Sequence, residues 1–203
     1  MSFVHRFEPG ARDGLTLLLL HGTGGNEDEL LPLGRAIAPG AALLSPRGKV
    51  SENGMPRFFR RVAEGVFDQA DLRFRSGELA GFVRAASGEY RFDLGSLVMA
   101  GYSNGANIAA AMMLLETLIP ARAVLFRPMV PLVPEVPPRL EKTRVFVSAG
   151  RFDPIVAREQ PQRLAGLLRD AGAEVTLNWE DGAHSLTEHE VLEAAEWLPR
   201  MLS

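Results

Sequence analysis

The sequence predicts a domain of the α/β class, built on a mostly parallel, doubly wound β-sheet. Short apolar runs bounded by glycine or proline alternate with longer amphipathic segments, which is the pattern of repeated βαβ units. Runs such as Leu17–Leu20 and Val145–Val147 are continuously apolar, as strands are when helices cover both faces of a sheet. The 203 residues suffice for one domain, and neither a repeat nor a linker interrupts them. We therefore predict a single domain over residues 1–203.

Strands and helices are expected in alternating order. Strands are expected at an N-terminal segment around His5 and over Leu15–Leu20, Ala41–Leu44, Leu94–Tyr102, Ala121–Phe126, Arg144–Ala149 and Glu174–Trp179. Helices are expected over Asp28–Ala38, Asp71–Ala86, Asn104–Leu118, Ala157–Ala171 and Thr187–Met201. Two connections lack a clean period, the long segment Ser45–Asp71 and the proline-rich segment Pro128–Pro138.

The composition favours a cytoplasmic enzyme and excludes several kinds of site. Hydrophobic residues make up 46% and charged residues 23% of the chain, and the net charge is −3. These values give no electrostatic reason to expect a nucleic acid or an anionic membrane as partner. The chain has no cysteine, which excludes disulfides, a thiolate nucleophile and Cys-ligated zinc. The N-terminus lacks the apolar core of a signal peptide, and no apolar run near it is long enough to cross a bilayer.

The segment Gly101-Tyr102-Ser103-Asn104-Gly105 is the decisive motif. A G-x-S-x-G match alone is common, and a Gly-Ser turn of no catalytic meaning is the alternative interpretation. Here the motif follows a predicted strand and opens a predicted helix, which is the context of a nucleophile elbow. Glycines two residues on either side of the serine remove Cβ atoms that would collide in such a tight turn. We predict that Ser103 is the nucleophile of an α/β-hydrolase fold.

A serine hydroxyl needs a base to remove its proton, and we expect His184 to be that base. It lies in a turn between the last predicted strand and the last predicted helix, whereas His189 falls inside that helix and His5 lies in the N-terminal strand. The acid is expected at the end of strand Arg144–Ala149, where Asp153 precedes a proline that fixes the turn. The chain order Ser, Asp, His is the order expected for this fold.

The tetrahedral intermediate of acyl transfer requires hydrogen-bond donors for its oxyanion. We expect one donor to be the backbone N–H of Asn104 and the other to be the N–H of Thr23, in the glycine-rich turn 21–25. A phosphate-binding loop is the rival interpretation of that turn, but neither of the usual glycine patterns is present. His21 is expected to orient the turn rather than to react. The predicted mechanism uses no metal and no organic cofactor.

The motifs HGTGGNE, SPRGKVSENGMPRFFRR, AGYSNGANIAA, GRFDPIV and GAHSLTEHEV resemble the phospholipase/carboxylesterase family, which includes acyl-protein thioesterases and lysophospholipases. The resemblance runs from about Phe7 to the C-terminus and is greatest to small bacterial carboxylesterases. It implies the same triad and the same oxyanion donors, a hydrolase without a cap domain, and often a homodimer. The sequence departs from the family at Asn104, where many members have glutamine, and at Phe58-Phe59, where some members have a tryptophan near the MP motif.

Specificity is expected to depend on the long segment Ser45–Asp71, because ligands of open α/β sheets bind beyond the carboxyl ends of the strands. Five apolar side chains are candidate substrate contacts: Phe58, Phe59, Phe67, Met129 and Leu132. The alternative is that the phenyl rings pin the loop to the core. Without a cap, an open groove would favour short-to-medium acyl esters. Two alternatives to a carboxylesterase stay open, a thioesterase or lysophospholipase with the same triad and a catalytically silent binding protein.

Overall fold

The computed structural model describes residues 3–11 and 14–200, and its elements follow the predicted alternation. The strands are β1 (His5–Glu8), β2 (Thr16–Leu20), β3 (Ala42–Pro46), β4 (Val50–Glu52), β5 (Met55–Arg57), β6 (Arg61–Ala63), β7 (Val66–Phe67), β8 (Leu97–Tyr102), β9 (Arg122–Phe126), β10 (Arg144–Gly150) and β11 (Glu174–Glu180). The helices are α1 (Leu31–Ile37), α2 (Gln69–Tyr90), α3 (Asn104–Leu114), α4 (Glu159–Asp170) and α5 (Glu188–Arg200).

Seven strands form one sheet in the order β1-β3-β2-β8-β9-β10-β11. All neighbours pair in parallel except β1, which is antiparallel to β3. The register aligns Leu20 with Gly101 and Tyr102 with Phe126. Strands β2, β8 and β9 therefore end together, and the residues that follow them meet at one edge of the sheet.

The sheet is buried on both faces, as the apolar strands predict. Along β2, Leu18 and Leu20 pack into a cluster with side chains of α2, α3 and α4. The alternate residues Leu17 and Leu19 pack into a second cluster with α1 and α5. All four leucines are fully buried, and burying one such side chain contributes about 1.5–3 kcal/mol. This arrangement confirms the predicted doubly wound α/β fold.

Three helix boundaries differ by three or more residues from those expected. Helix α1 begins at Leu31 rather than Asp28, because the Asn26 side chain accepts the Asp28 N–H in a local turn. Helix α2 continues to Tyr90 and ends where Arg91 adopts a left-handed backbone conformation. Helix α3 ends at Leu114, close to Glu116, which has a φ of 53°. Residues Leu94–Ser96, expected to begin a strand, form a 3₁₀ turn.

The segment between β3 and α2 contains two short hairpins, β4–β5 and β6–β7. Within residues 3–11 and 14–200, no helical cap is inserted over the sheet. The described helices also include none that is long and apolar enough to cross a membrane. The carboxyl edge of the sheet is therefore bordered by hairpins and loops rather than by a second layer of helices.

Candidate active site

Ser103 lies at a strained turn between β8 and α3. Its backbone has φ 51° and ψ −113°, a combination that a non-glycine residue adopts only when its surroundings enforce it. A Cβ added to Gly101 would lie 2.6 Å from the Gly105 carbonyl oxygen, and one added to Gly105 would lie 1.9 Å from the Leu20 carbonyl oxygen. Only glycine allows this close approach of strand, turn and helix. The structure therefore has the elbow that the motif predicts.

The side chains of Ser103, His184 and Asp153 form one hydrogen-bonded chain. His184 Nδ1 lies 2.8 Å from Asp153 Oδ2, and His184 Nε2 lies 3.0 Å from Ser103 Oγ. A carboxylate accepts hydrogen bonds, so Nδ1 carries the ring proton and donates a hydrogen bond to Asp153. The unprotonated Nε2 then accepts the hydroxyl proton of Ser103. The structure brings the three predicted residues together in the geometry of a nucleophile, its base and an orienting acid.

The Asp153 carboxylate is fixed by its own backbone as well as by the histidine. Its Oδ1 accepts the N–H groups of Ile155 and Val156 at 2.8 and 3.0 Å. The side chain is 1% exposed, whereas the His184 side chain is 17% exposed. The acid therefore lies beneath the imidazole, and the imidazole lies at the surface where a substrate can reach it.

Two buried residues that sequence reasoning did not single out hold the loop of His184. The guanidinium of Arg127 donates from Nε to the Ala183 carbonyl at 2.8 Å and from Nη2 to the Ser185 carbonyl at 3.0 Å. It also pairs with both carboxylate oxygens of Glu190, at 2.5 and 2.8 Å. Both side chains are fully buried. The Thr-x-x-Glu pattern that ends at Glu190 predicts a helix start, but nothing local indicates its pairing with Arg127.

The glycine-rich turn 21–25 lies against the elbow. A Cβ added to Gly22 would lie 2.8 Å from the ring of Tyr102. His21 is buried, donates from Nδ1 to the Gly22 carbonyl at 2.6 Å and accepts the Gly48 N–H on Nε2 at 2.9 Å. Burial lowers the pKa of His21, so its ring stays neutral and keeps both bonds. This placement fits the expected orienting role of His21.

The local turn and helix do not use the backbone N–H groups of Thr23 and Asn104, the expected oxyanion donors. The Gly24 N–H donates to Pro56 and the Gly25 N–H donates to Gly22, so the turn's own hydrogen bonds do not use the Thr23 N–H. Asn104 is the first residue of α3, where an N–H has no acceptor within the helix. Asn104 is next to Ser103 in the chain, and Thr23 lies in the turn that packs against Tyr102.

The side chains of these two residues connect the site to the hairpin β4–β5. Arg57, at the end of β5, donates from Nη1 to Thr23 Oγ1 at 2.6 Å. Asn104 accepts the Phe58 N–H on Oδ1 at 2.8 Å, and the Asn104 side chain is buried. Arg57 is also ion-paired with Glu52 at 3.1 Å, and no local pattern indicates its bond to Thr23, which lies 34 residues away. The end of the hairpin is therefore hydrogen-bonded to the side chains of both expected oxyanion donors.

The structure corrects part of the expected set of substrate contacts. Phe58, Phe59 and Leu132 are 2%, 0% and 5% exposed and belong to the main hydrophobic cluster. Their side chains pack in this cluster with side chains of α2 and α3. For Phe58 and Phe59 the alternative, in which the rings pin the loop to the core, is the correct one, and Leu132 is a core residue as well. Phe67 and Met129 are partly exposed and stay candidate contacts.

One group of side chains has the spacing of metal ligands. Donor atoms of Glu180, His189 and Glu193 lie within 4.8 Å of one another. His189 is exposed and hydrogen-bonded to Glu180 at 2.9 Å. The bond raises the pKa of His189 and lowers the pKa of Glu180, as an ion pair does without a metal. These residues take no part in the Ser103 constellation.

Comparisons with known proteins identify relatives of this chain. No protein-family model matches the chain. The chain is 48% identical over 193 residues to a Bacillus subtilis (strain 168) protein designated a hydrolase, MhqD, with 95% of this chain and 96% of that protein covered. The crystal structure of a Bacillus cereus carboxylesterase superposes with a TM-score of 0.96 at 47% identity, over 98% of this chain and 95% of that one.

A third relative is YahD, solved with malic acid, which has a TM-score of 0.94 and 32% identity over 98% of this chain and 99% of its own. More distant structures, such as SOBER1 of Arabidopsis thaliana with a TM-score of 0.79 and 20% identity, share the fold. The level of identity and the nearly complete coverage of the closer relatives establish common descent. The chain belongs to the phospholipase/carboxylesterase family of α/β-hydrolases.

Proposed function

We propose that this hydrolase cleaves carboxylic esters through an acyl-enzyme on Ser103. One observation carries the proposal, the unbroken hydrogen-bonded chain from Ser103 Oγ through His184 to Asp153. A serine in that chain loses its proton as it attacks a carbonyl carbon, and the same imidazole can later return a proton to the leaving group. The carboxylesterase from Bacillus cereus supports the assignment of the substrate class.

In the first half of the reaction, Ser103 Oγ attacks the carbonyl carbon while its proton moves to His184 Nε2. The carbonyl oxygen gains a negative charge, which the N–H groups of Thr23 and Asn104 stabilise. Asp153 stabilises the imidazolium through the bond at Nδ1. The tetrahedral intermediate then collapses, and the alcohol leaves with the proton from Nε2.

In the second half, a water molecule takes the place of the alcohol. His184 Nε2 removes a proton from this water, and the hydroxide attacks the acyl carbon that is bonded to Ser103 Oγ. The bond between that carbon and Oγ breaks, and Oγ recovers the proton from Nε2. One ester and one water thus give one acid and one alcohol, with the enzyme restored.

The partly exposed side chains near the hairpins favour a short-to-medium acyl group. Met55 is 39% exposed and lies over the oxyanion turn, because a Cβ added to Gly24 would be 3.7 Å from Met55 Cγ. On the second hairpin, a Cβ added to Gly65 would be 3.3 Å from Met129 Cε. We propose Met55, Met129 and Phe67 as substrate contacts in an open groove. Met55 was not among the residues singled out from the sequence.

The same atoms would open a thioester or a lysophospholipid, so assays of graded substrates decide among these leaving groups. From the composition and the uninterrupted pattern of elements we also propose a cytoplasmic location and a single-domain enzyme. The resemblance to the family further implies a homodimer. Size-exclusion chromatography with light scattering measures the oligomeric state. A monomer at micromolar concentration would remove the homodimer from the proposal without changing the chemistry.

The proposal is tested with Ser103→Ala and a fluorophosphonate label. The wild type should hydrolyse p-nitrophenyl acyl esters and bind the label covalently at Ser103, as peptide mass spectrometry would show. Ser103→Ala should reduce kcat by several orders of magnitude and prevent labelling, with circular dichroism unchanged. A wild type that neither turns over the esters nor reacts with the label would favour the silent binding protein.

A further inference from the structure

The clamp formed by Arg127 and Glu190 is more extensive than a single buried ion pair. Ser148, on β10, donates from Oγ to Glu190 Oε2 at 2.5 Å and accepts from Arg127 Nη1 at 3.3 Å. Glu190 also accepts the Thr187 N–H at 2.6 Å, while Thr187 Oγ1 accepts the Glu190 N–H at 3.3 Å. The reciprocal pair at Thr187 is a capping box. It fixes where the loop of His184 ends and α5 begins.

Every carbonyl beside the catalytic histidine is held by a donor from elsewhere in the chain. Arg127 holds the carbonyls of Ala183 and Ser185, and Tyr102 donates its hydroxyl to the carbonyl of His184 at 3.1 Å. Burial raises the pKa of Tyr102, so this hydroxyl stays protonated. The loop has no helix or strand of its own from residue 181 to 187. Its backbone is therefore held by these side chains, together with the Phe152 N–H, which donates to the Gly182 carbonyl at 3.1 Å.

The backbone at Arg127 is hydrogen-bonded to β10, the strand before Asp153, and follows the strand that pairs with the nucleophile's strand. Arg127 directly follows β9, and its N–H donates to the Ser148 carbonyl of β10 at 2.8 Å. The preceding residue, Phe126, accepts the Ser103 N–H at 2.9 Å. Arg127 also has a left-handed backbone, with a φ of 55°. One residue thus connects the strand next to the elbow, the strand before Asp153 and the loop of His184.

We propose that Arg127, fixed by Glu190, is a positioning residue that sets the distance between His184 Nε2 and Ser103 Oγ. The inference rests on the proposed function. The planar guanidinium offers several N–H donors in a rigid fork, which lets it hold two carbonyls and a carboxylate at once. A lysine supplies a charge at one point and cannot span the two carbonyls. Displacing a catalytic group by about 1 Å costs on the order of 100-fold in rate.

The test compares Arg127→Lys with Leu164→Ala. Leu164 is fully buried in α4, within the cluster on one face of the sheet, so its truncation destabilises the fold without removing a bond to the loop. Arg127→Lys should lower kcat about 10- to 100-fold, with KM within about twofold of the wild type. Leu164→Ala should lower the melting temperature while kcat, measured well below that temperature, stays within about twofold of the wild type.

A pH profile separates positioning from an electrostatic effect on His184. Displacement of the imidazole predicts that the loss in Arg127→Lys persists on the high-pH plateau, where the base is already neutral. Recovery of wild-type kcat at high pH would overturn the inference, because the variant would then act through the protonation of His184. A folded Arg127→Lys with a kcat within about twofold of the wild type on that plateau would overturn it as well.

If Arg127→Lys does not fold, Glu190→Gln and Ser148→Ala carry the test. Each variant removes or weakens a bond that holds the Arg127 guanidinium in place, while Arg127 can still donate to the two loop carbonyls. Each should therefore lower kcat more than it changes KM. An unchanged kcat in both would contradict the inference. Ser103→Ala is measured in the same assay. Activity in Ser103→Ala would contradict the proposed function, whereas its inactivity beside a wild-type-like Arg127→Lys would contradict the positioning role alone.

Discussion

The histidine side and the oxyanion side of Ser103 are each held by a buried arginine, but in different ways. Arg127 is fully buried and pairs with both oxygens of Glu190, which is also fully buried. Arg57 is 3% exposed, and its partner Glu52 is 28% exposed and lies 3.1 Å away. Burial lowers the pKa of Arg57.

The difference reflects what each arginine supports. The histidine loop belongs to the catalytic machinery, and a closed, neutralised network fixes it. Arg57 donates to Thr23 Oγ1 and to the Phe59 carbonyl, so it connects the turn of Thr23 to the hairpin that carries Met55, a proposed substrate contact. The histidine side can therefore stay constant while the oxyanion side is adjusted together with specificity. Four predictions probe this contrast.

The largest effect is expected on the histidine side, from Asp153→Asn. An amide in place of the carboxylate keeps the shape of the side chain but no longer favours the proton on Nδ1 of His184. A loss of about 10⁴ in kcat is expected, as for an equivalent change in another serine hydrolase. Steady-state kinetics with p-nitrophenyl acetate measures it. A loss of less than about tenfold would mean that another group orients the imidazole.

The next effect is on the oxyanion side, where Thr23→Pro removes one backbone donor. Losing one such donor costs about 10²–10³ in kcat. Thr23→Ser keeps both the N–H and the acceptor of Arg57 and should stay close to the wild type. Thr23→Ala keeps the N–H but removes Oγ1, the acceptor of Arg57 Nη1. Its kcat should therefore lie between the values for Thr23→Pro and Thr23→Ser. Equal, large losses in Thr23→Ala and Thr23→Pro would assign the hydroxyl the main role.

A stability effect is expected at Phe59, whose ring packs edge-on against Phe67 at 5.1 Å between centroids. Because Phe59 is fully buried, Phe59→Ala should lower the free energy of unfolding by about 3–5 kcal/mol. The preference for acyl chain length should stay nearly unchanged, in contrast to Met129→Ala. Urea unfolding and a series of esters measure the two properties. A shifted preference for acyl chain length, with an unchanged free energy of unfolding, would show that Phe59 contacts the substrate.

The smallest effect is the pH dependence contributed by His21. Burial lowers its pKa in the folded state, so the unfolded chain binds the proton more tightly. The stabilisation is complete above the unfolded pKa of about 6.5 and declines as the pH falls below it. His21→Gln should therefore flatten the fall in stability between about pH 6.5 and 5. Urea titrations of both proteins measure the slopes, and identical slopes would contradict the prediction.

What could be predicted from the sequence is what depends on local pattern. Ser103, Asp153 and His184 each follow a recognisable strand, and parallel strands that end together bring such residues to one edge. Arg127 and Glu190 could not be paired in this way, because 63 residues separate them and each is an ordinary charged residue in its own segment. The rings at Phe58 and Phe59 were ambiguous for a related reason. An apolar residue in an irregular segment has no period that indicates its face.

The strained backbone of Ser103 has a consequence for the evolution of this enzyme. A non-glycine residue at φ 51° costs on the order of 1–3 kcal/mol, and glycine would relax much of that strain. Ser103→Gly should therefore melt at a higher temperature than the wild type while being unable to form an acyl-enzyme. Selection for heat resistance alone would favour loss of the nucleophile. Thermostabilised libraries of this protein thus need a catalytic screen at every round.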